Sequence, residues 1–234
     1  RMDDRGRTLM ERIDDPMLSM PEMKDFPVKT VTDFKEYTKR YDPDNPERFP
    51  DNWDELVAKW DKRDNPLRLG DYPAPWSLFG SIREIMGFER LLYMFYDEPA
   101  FMEEIMEYFT EYCLAFCKKI LPKVKVDHIW LWEDMAYKTG SMISPEHFRR
   151  FMLPRYKRLT AYIRSQGVDV IVVDSDGFCD ELIPLWLEAG INGIEPIEVQ
   201  CGGDAVAMRK KYGKDLLMAG GIDKRALAKD KKAI

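Results

Sequence analysis

From residue 124 onward, short apolar runs alternate with helical stretches that end at glycines. Residues 168–173 form an apolar run typical of a strand buried on both faces. The units are about 22–25 residues long, which is usual for a βα unit of an eight-stranded barrel. Strands that alternate with helices predict a parallel sheet with right-handed crossovers. We therefore expect an α/β fold, a (β/α)8 TIM barrel, whose later elements lie at 180–189, 191–197, 204–212, 216–219 and from 224 onward.

Residues 1–66 differ from the rest of the chain, because they are polar and rich in proline. We interpret this segment as a lid or insertion over the barrel mouth, or as the remainder of an earlier βα unit. It carries two predicted helices, at 31–41 and 52–62. Residues 67–234 are the predicted barrel domain. Its earlier strands are expected at 67–69 and 126–132, and its earlier helices at 76–86, 99–121 and 145–165.

The predicted strands number about five, whereas a closed barrel of this class needs about eight. The chain also starts at Arg1 and stops within a helical pattern. We therefore expect a fragment that lacks βα units at both ends. An open doubly wound sheet is the alternative, but no G-x-G-x-x-G segment follows a strand.

Charge and composition exclude several classes of function. The chain has 36 Lys+Arg against 42 Asp+Glu, a net charge of −6, which argues against a nucleic-acid platform. No apolar stretch is long enough to span a bilayer. Its 4 cysteines are too few for a disulfide scaffold, so the reducing cytoplasm is the expected location.

Acidic residues follow the predicted strands at their carboxyl ends, where parallel α/β folds place their chemistry. Such carboxylates bind hard metal ions or exchange protons with a substrate. The competing interpretation is that they cap the following helices, which we favour for Asp223. We assign three candidate catalytic residues, Glu133, Asp134 and Asp176. The candidate metal ligands are Asp174, Asp176 and Glu195.

Aromatic, basic and glycine residues near the same ends are candidates for substrate binding. Trp76 and Arg83 are seven residues apart in a predicted helix, so we expect them to share one face. The other candidates are Trp132, Tyr137, Gly220 and Gly221. The Cys113/Cys117 pair is interpreted as packing residues, His128 as packed or hydrogen-bonded within a strand, and His147 as a solvated residue in the first turn of a helix.

Five segments, in this order along the chain, resemble the uroporphyrinogen decarboxylase superfamily. They are an APWSLF segment at 74–79, WED at 132–134 with ISPEHF at 143–148 and MLPRY at 152–156, VVDSDG at 172–177, GINGI at 190–194, and LMAGGID at 217–223. The resemblance implies a (β/α)8 barrel. It also implies an enzyme, because the superfamily contains the haem-pathway decarboxylase and the corrinoid and coenzyme M methyltransferases.

Two departures from the superfamily pattern bear on the reaction. Ser81 falls where the decarboxylases have a tyrosine, and Asp174-Ser175-Asp176 replaces the zinc-binding His-x-Cys of the coenzyme M methyltransferases. We favour metal-assisted methyl transfer between a small substrate and a corrinoid protein, with zinc as the expected ion. The alternatives are a uroporphyrinogen decarboxylase, which needs no cofactor, and a binding barrel without catalysis.

Overall fold

A computed structural model describes residues 1–11, 21–70 and 76–229 of the chain. Within these residues, helices pack against one face of a parallel sheet. The strands are β1 (Thr8–Met10), β2 (Glu22–Asp25), β3 (Arg68–Leu69), β4 (His128–Trp132), β5 (Ala136–Tyr137), β6 (Gly140–Ser141), β7 (Val170–Asp174), β8 (Gly193–Ile197) and β9 (Leu217–Gly220). The α-helices are α1 (Val31–Thr38), α2 (Trp53–Asp61), α3 (Phe79–Met86), α4 (Phe88–Asp97), α5 (Pro99–Ile120), α6 (Pro145–His147), α7 (Leu153–Ser165), α8 (Ile183–Glu188), α9 (Ala205–Tyr212) and α10 (Lys224–Leu227).

The central sheet has five parallel strands in the order β3-β4-β7-β8-β9. This confirms the predicted parallel α/β architecture, while closure into eight strands stays a prediction. One face of β4 and β7 is fully buried beneath the helices, through Ile129, Leu131, Ile171 and Val173. On the opposite face Trp130 is also buried, whereas Trp132 and Asp174 are only partly covered. The strand at 168–173 was expected to be buried on both faces, and in the described residues it is fully buried on one.

Helices α1 and α5 share one hydrophobic core with the sheet. Phe34 of α1 makes edge contacts with Phe101 and Tyr108 of α5, with ring centroids 5.9 and 5.4 Å apart. Val28 and Tyr37 are also buried in this core. The described part of residues 1–66 is therefore anchored to the helical layer. None of the described helices is long and apolar enough to cross a membrane.

Strands β1 and β2 form an antiparallel pair, and buried ion pairs join the segment just before β1 to α3. Arg5 and Arg7 both donate to Glu84 of α3, and Arg7 also donates to Asp3 at 2.7 Å. Both arginines are less than a tenth exposed. Because breaking such buried pairs is costly, these contacts hold the segment before β1 against α3.

One predicted helix is interrupted, and one helix was not predicted, each for a local reason. The predicted helix at 145–165 contains a π-helical turn at Phe148–Met152, closed by a bond from Leu153 N–H to the Phe148 carbonyl. Pro154 follows and has no N–H for an ordinary helical bond, which favours this bulge. Near residue 87, α3 ends as predicted at Gly87. The same glycine, at φ +83°, begins α4, a helix the sequence analysis did not predict.

Candidate active site at the carboxyl ends of the strands

Three side chains are held side by side where the central strands end. Trp132 of β4 lies opposite Asp174 of β7, and Asp174 lies opposite Glu195 of β8. Backbone bonds extend this alignment beyond the strands, because the N–H groups of Glu133 and Ser175 donate to the Asp174 and Glu195 carbonyls, each at 2.9 Å. Residues paired across parallel strands project to the same face. The row therefore forms one surface, called here the mouth.

Asp174 is the partly buried carboxylate at the centre of the mouth. Burial, followed by repulsion from Asp176, Glu195 and Asp134, raises the pKa of Asp174 to about 7, with Arg68 opposing the shift. Burial and the nearby Glu198 also raise the pKa of Asp176. Asp174 is thus a group that gains and loses a proton near neutral pH, as general acids and bases do.

The raised pKa of Asp174 predicts a pH dependence of stability. Between about pH 4 and pH 7 the folded protein binds a proton at Asp174 that the unfolded chain releases, so stability falls as pH rises through this window. We expect Asp174→Asn to reduce this fall. Urea unfolding at pH 5 and pH 8 measures it, with Asp215→Asn as the exposed control. A fall of equal size in wild type and Asp174→Asn would contradict the assignment.

Glu133, a predicted catalytic residue, lies behind the mouth. Its side chain is fully buried and accepts hydrogen bonds from the N–H groups of Leu78 at 3.0 Å and Gly80 at 2.8 Å, and from the Tyr156 hydroxyl. Burial raises the pKa of Glu133 to about 7, against the lowering effect of the backbone N–H groups. The two carboxylate oxygens of Glu133 thus bond to the start of α3 and to Tyr156 of α7. Glu133 therefore connects these two helices inside the protein.

Asp134, the next residue, is held at the mouth by Arg83. The guanidinium donates to the Asp134 carbonyl at 2.6 Å and to its carboxylate at 2.8 Å. It also lies 4.8 Å from the centre of the Trp132 ring. Asp134 has φ +41°, which is unusual for a residue other than glycine. Arg83 therefore supports a strained backbone turn beside the predicted substrate-binding tryptophan.

Glu195 and Glu198 are both engaged by neighbouring side chains. The Trp130 indole N–H donates to Glu195, and Arg68 lies 4.7 Å above the Trp130 ring. Glu198 accepts from the Gly177 N–H at 2.9 Å and from Lys224 at 2.7 Å. Burial raises the pKa of Glu198, but the Lys224 ammonium and the Gly177 N–H outweigh it and leave that pKa lowered.

The other predicted substrate-binding residues lie in different settings. Tyr137 is more than half exposed in the β5–β6 hairpin. Gly220 is packed against β8, where a Cβ would lie 2.4 Å from the Ile197 nitrogen, and the Gly221 N–H donates to the Ile197 carbonyl at 2.9 Å. These two glycines permit a close strand approach.

The prediction that Trp76 and Arg83 share a helix face requires a correction. Helix α3 begins at Phe79, so Trp76 precedes it. Trp76 is buried, and its ring meets the Phe116 ring edge-on with centroids 6.1 Å apart. Of the APWSLF segment, residues 74 and 75 lie outside the described residues.

The fit of a metal ion was tested on the predicted ligands Asp174, Asp176 and Glu195. In the described parts of the chain, no group of three or more His, Cys, Asp or Glu side chains converges to hold a metal ion. Glu195 is turned to the Trp130 indole instead. This arrangement does not fit zinc, which takes four ligands in a tetrahedron. Asp223 caps α10 through the Arg225 N–H, as the capping interpretation predicted.

The sequence analysis named neither Arg68 nor Tyr156 as a site residue, although Tyr156 lies in the MLPRY segment of the family resemblance. Arg68 lies on the edge strand β3 and opposes the raised pKa of Asp174, while Tyr156 reaches Glu133 from α7. Tyr156 follows the π-helical turn and lies in α7, a helix of mixed apolar and basic residues. The resemblance places the MLPRY segment after WED, but it does not predict the bond from Tyr156 to Glu133, 23 positions earlier.

A family model of uroporphyrinogen decarboxylase (URO-D) matches residues 16–234, nearly the whole chain. The chain belongs to the uroporphyrinogen decarboxylase family. Among solved structures, this URO-D family member is similar to a methyltransferase from Methanosarcina mazei, with a TM-score of 0.61 and 13% sequence identity. The match covers 92% of this chain and 59% of that chain, and at this identity it shows the fold alone. No curated protein matches the chain.

Proposed function

We propose that this URO-D family member is part of a (β/α)8-barrel methyltransferase that moves a methyl group between a small substrate and a corrinoid protein. The observation that carries the proposal is the central, partly buried Asp174, aligned between Trp132 and Glu195 at the mouth. The similarity in fold to a methyltransferase supports the choice of reaction.

Asp174 would act as the general acid. When a methyl group leaves a heteroatom, that atom keeps the bonding electron pair and needs a proton. Asp174, with a pKa of about 7, holds a proton to donate at neutral pH and regains one from water afterwards. Trp132 provides an aromatic wall beside it. A corrinoid protein would supply the acceptor of the methyl group.

No step of this proposal uses a metal ion, because the described carboxylates do not converge as zinc ligands. The prediction that Asp174, Asp176 and Glu195 bind zinc can be tested directly. Metal analysis of the purified protein would revive it if one ion were bound per chain and lost in Asp174→Ala/Asp176→Ala.

The methyl-transfer proposal predicts a specific pattern of activity. Methyl ethers, thioethers and methylamines are offered with reduced cobalamin, and methylcobalamin formation is followed by absorbance. General acid catalysis contributes roughly 10²–10⁴-fold, so Asp174→Asn should lose about that much activity. Activity should also fall above about pH 7 as Asp174 loses its proton. Asp215→Asn, an exposed substitution, is the matched control.

Equal activity of Asp174→Asn and wild type would contradict the role of Asp174. Absence of methyl transfer with every donor would contradict the proposed reaction and favour the binding-only alternative, provided that the protein also leaves tetrapyrroles unchanged.

Decarboxylation of a tetrapyrrole is the second candidate. It is favoured by the number of carboxylates at the mouth, since Asp134, Asp174 and Asp176 can accept pyrrole N–H bonds, and Asp174 can donate the proton that replaces CO₂. Incubation with uroporphyrinogen followed by chromatography of the oxidised products distinguishes it. Loss of carboxyl groups without methylcobalamin formation would replace the first proposal with this one.

A further inference from the structure

Glu133 is the fully buried charged group closest to the mouth, and its neighbours are all donors. Its two oxygens accept from the N–H groups of Leu78 and Gly80 and from the Tyr156 hydroxyl. An ionised carboxylate only accepts hydrogen bonds, so it matches three converging donors. Leu78 immediately precedes α3 and Gly80 lies in its first turn, where the backbone N–H groups have no partners within the helix. Glu133 thus caps α3 from a distant strand end.

Helix α3 rests directly on the backbone beside Glu133. A Cβ on Gly80 would lie 2.3 Å from the Trp132 carbonyl oxygen and 2.9 Å from the Trp132 ring. Such a close approach leaves little freedom for the helix to slide along β4. The carboxylate bonds and the glycine contact therefore fix the same turn of α3 against the same end of β4.

One turn further along α3, Arg83 connects the helix to the mouth. Arg83 bonds both the carbonyl and the carboxylate of Asp134 and lies over the Trp132 ring. Its side chain is only 16% exposed, so its course is set by the helix that carries it. Asp134, at φ +41°, adopts a backbone conformation that persists only where its surroundings hold it.

We propose that Glu133 and Tyr156 are positioning residues, which hold α3 so that Arg83 keeps Asp134 and Trp132 in place at the mouth. Glu133 therefore acts through Arg83 and does not touch the substrate. The inference rests on the proposed function only in taking the mouth as the active site. Its experiment requires no substrate, so failure of methyl transfer and failure of this inference are separate results.

The test uses the full chain labelled with 5-fluorotryptophan, whose fluorine signal for Trp132 is assigned with Trp132→Phe. Removing the guanidinium with Arg83→Met defines the signal of an uncovered Trp132 ring. We expect Glu133→Gln and Tyr156→Phe to shift the Trp132 signal toward that position, under conditions where each variant is fully folded. Ser81→Ala, on the same helix but outside the Glu133 contacts, should leave the signal unchanged.

Amide hydrogen exchange at Leu78 and Gly80 gives the second readout. Glutamine keeps one accepting oxygen, so Glu133→Gln should speed exchange at one of these amides by roughly tenfold or more and affect the other less. Glu133→Leu keeps no acceptor and should speed both, with the smaller effect at Leu78, whose N–H also donates to the Tyr156 hydroxyl at 3.4 Å. If Glu133→Leu fails to fold, Glu133→Gln and Tyr156→Phe still decide the question.

Two results would overturn the inference. One is an unchanged Trp132 signal in both Glu133→Gln and Tyr156→Phe, which would show that α3 holds Arg83 without them. The other is equal protection of the Leu78 and Gly80 amides in wild type and Glu133→Gln. A loss of stability alone, with the Trp132 signal unmoved, would assign Glu133 a structural role and reject its positioning role.

Discussion

Replacing Gly80 with alanine is expected to lower the free energy of unfolding by about 1–3 kcal/mol, the range for overpacking a buried contact. The added methyl group would lie 2.3 Å from the Trp132 carbonyl oxygen, which belongs to a central strand and has no rotamer by which to withdraw. Alanine favours helices over glycine by about 1 kcal/mol, which offsets part of the steric cost. Urea unfolding of both proteins measures the difference.

Gly193→Ala is the matched control, because its new Cβ would first meet a methyl group of Val172, at 2.9 Å, with the nearest backbone atom at 3.4 Å. A side chain yields more readily than a strand carbonyl, so this substitution should cost less. An unchanged stability in Gly80→Ala would show that α3 can move away from β4.

Removing the buried carboxylate with Glu133→Ala is expected to cost about 3 kcal/mol or more. The variant leaves the Gly80 N–H and the Tyr156 hydroxyl without their acceptor, and it leaves the Leu78 N–H only a bond of 3.4 Å to the Tyr156 hydroxyl. Each buried polar group left unsatisfied costs about 1–3 kcal/mol. Thermal and urea unfolding at pH 8 measure the loss.

Glu181→Ala, at an exposed glutamate, should change stability by no more than about 0.5 kcal/mol. If Glu133→Ala proved as mild as Glu181→Ala, water would be replacing the carboxylate as the acceptor. The site would then be less enclosed than the contacts described above require.

The order of elements in the sheet was largely predictable, because local apolar runs indicate the strands and glycines mark the helix ends. The strands at 126–132, 168–173 and 191–197 and the helix at 99–121 agree with β4, β7, β8 and α5. Helix α4 was missed because Gly87 ends α3, as expected, and then starts a new helix with no side-chain cap. The β5–β6 pair has two residues in each strand, too few for an alternating pattern to show.

The candidate site was predictable only as a location. Acidic residues at strand ends indicated the mouth, and Asp174 does lie there beside Trp132. Which of Glu133 and Asp134 is buried and which lies at the mouth was not predictable. The outcome depends on the packing of α3, which lies more than 50 positions earlier in the chain. Adjacent residues at a strand end project in opposite directions, and only the packed helix decides which one is enclosed.

The sheet has a consequence for how the chain is assembled. Its strand order, β3-β4-β7-β8-β9, is also their order in the sequence. Each strand therefore docks against the one made just before it, and no strand waits for a later one to be inserted between neighbours. During synthesis, which proceeds from the N-terminus at about 5–20 residues per second, the sheet can grow outward from β3 one βα unit at a time. Pauses in translation between these units would then leave a partly built sheet with native pairings.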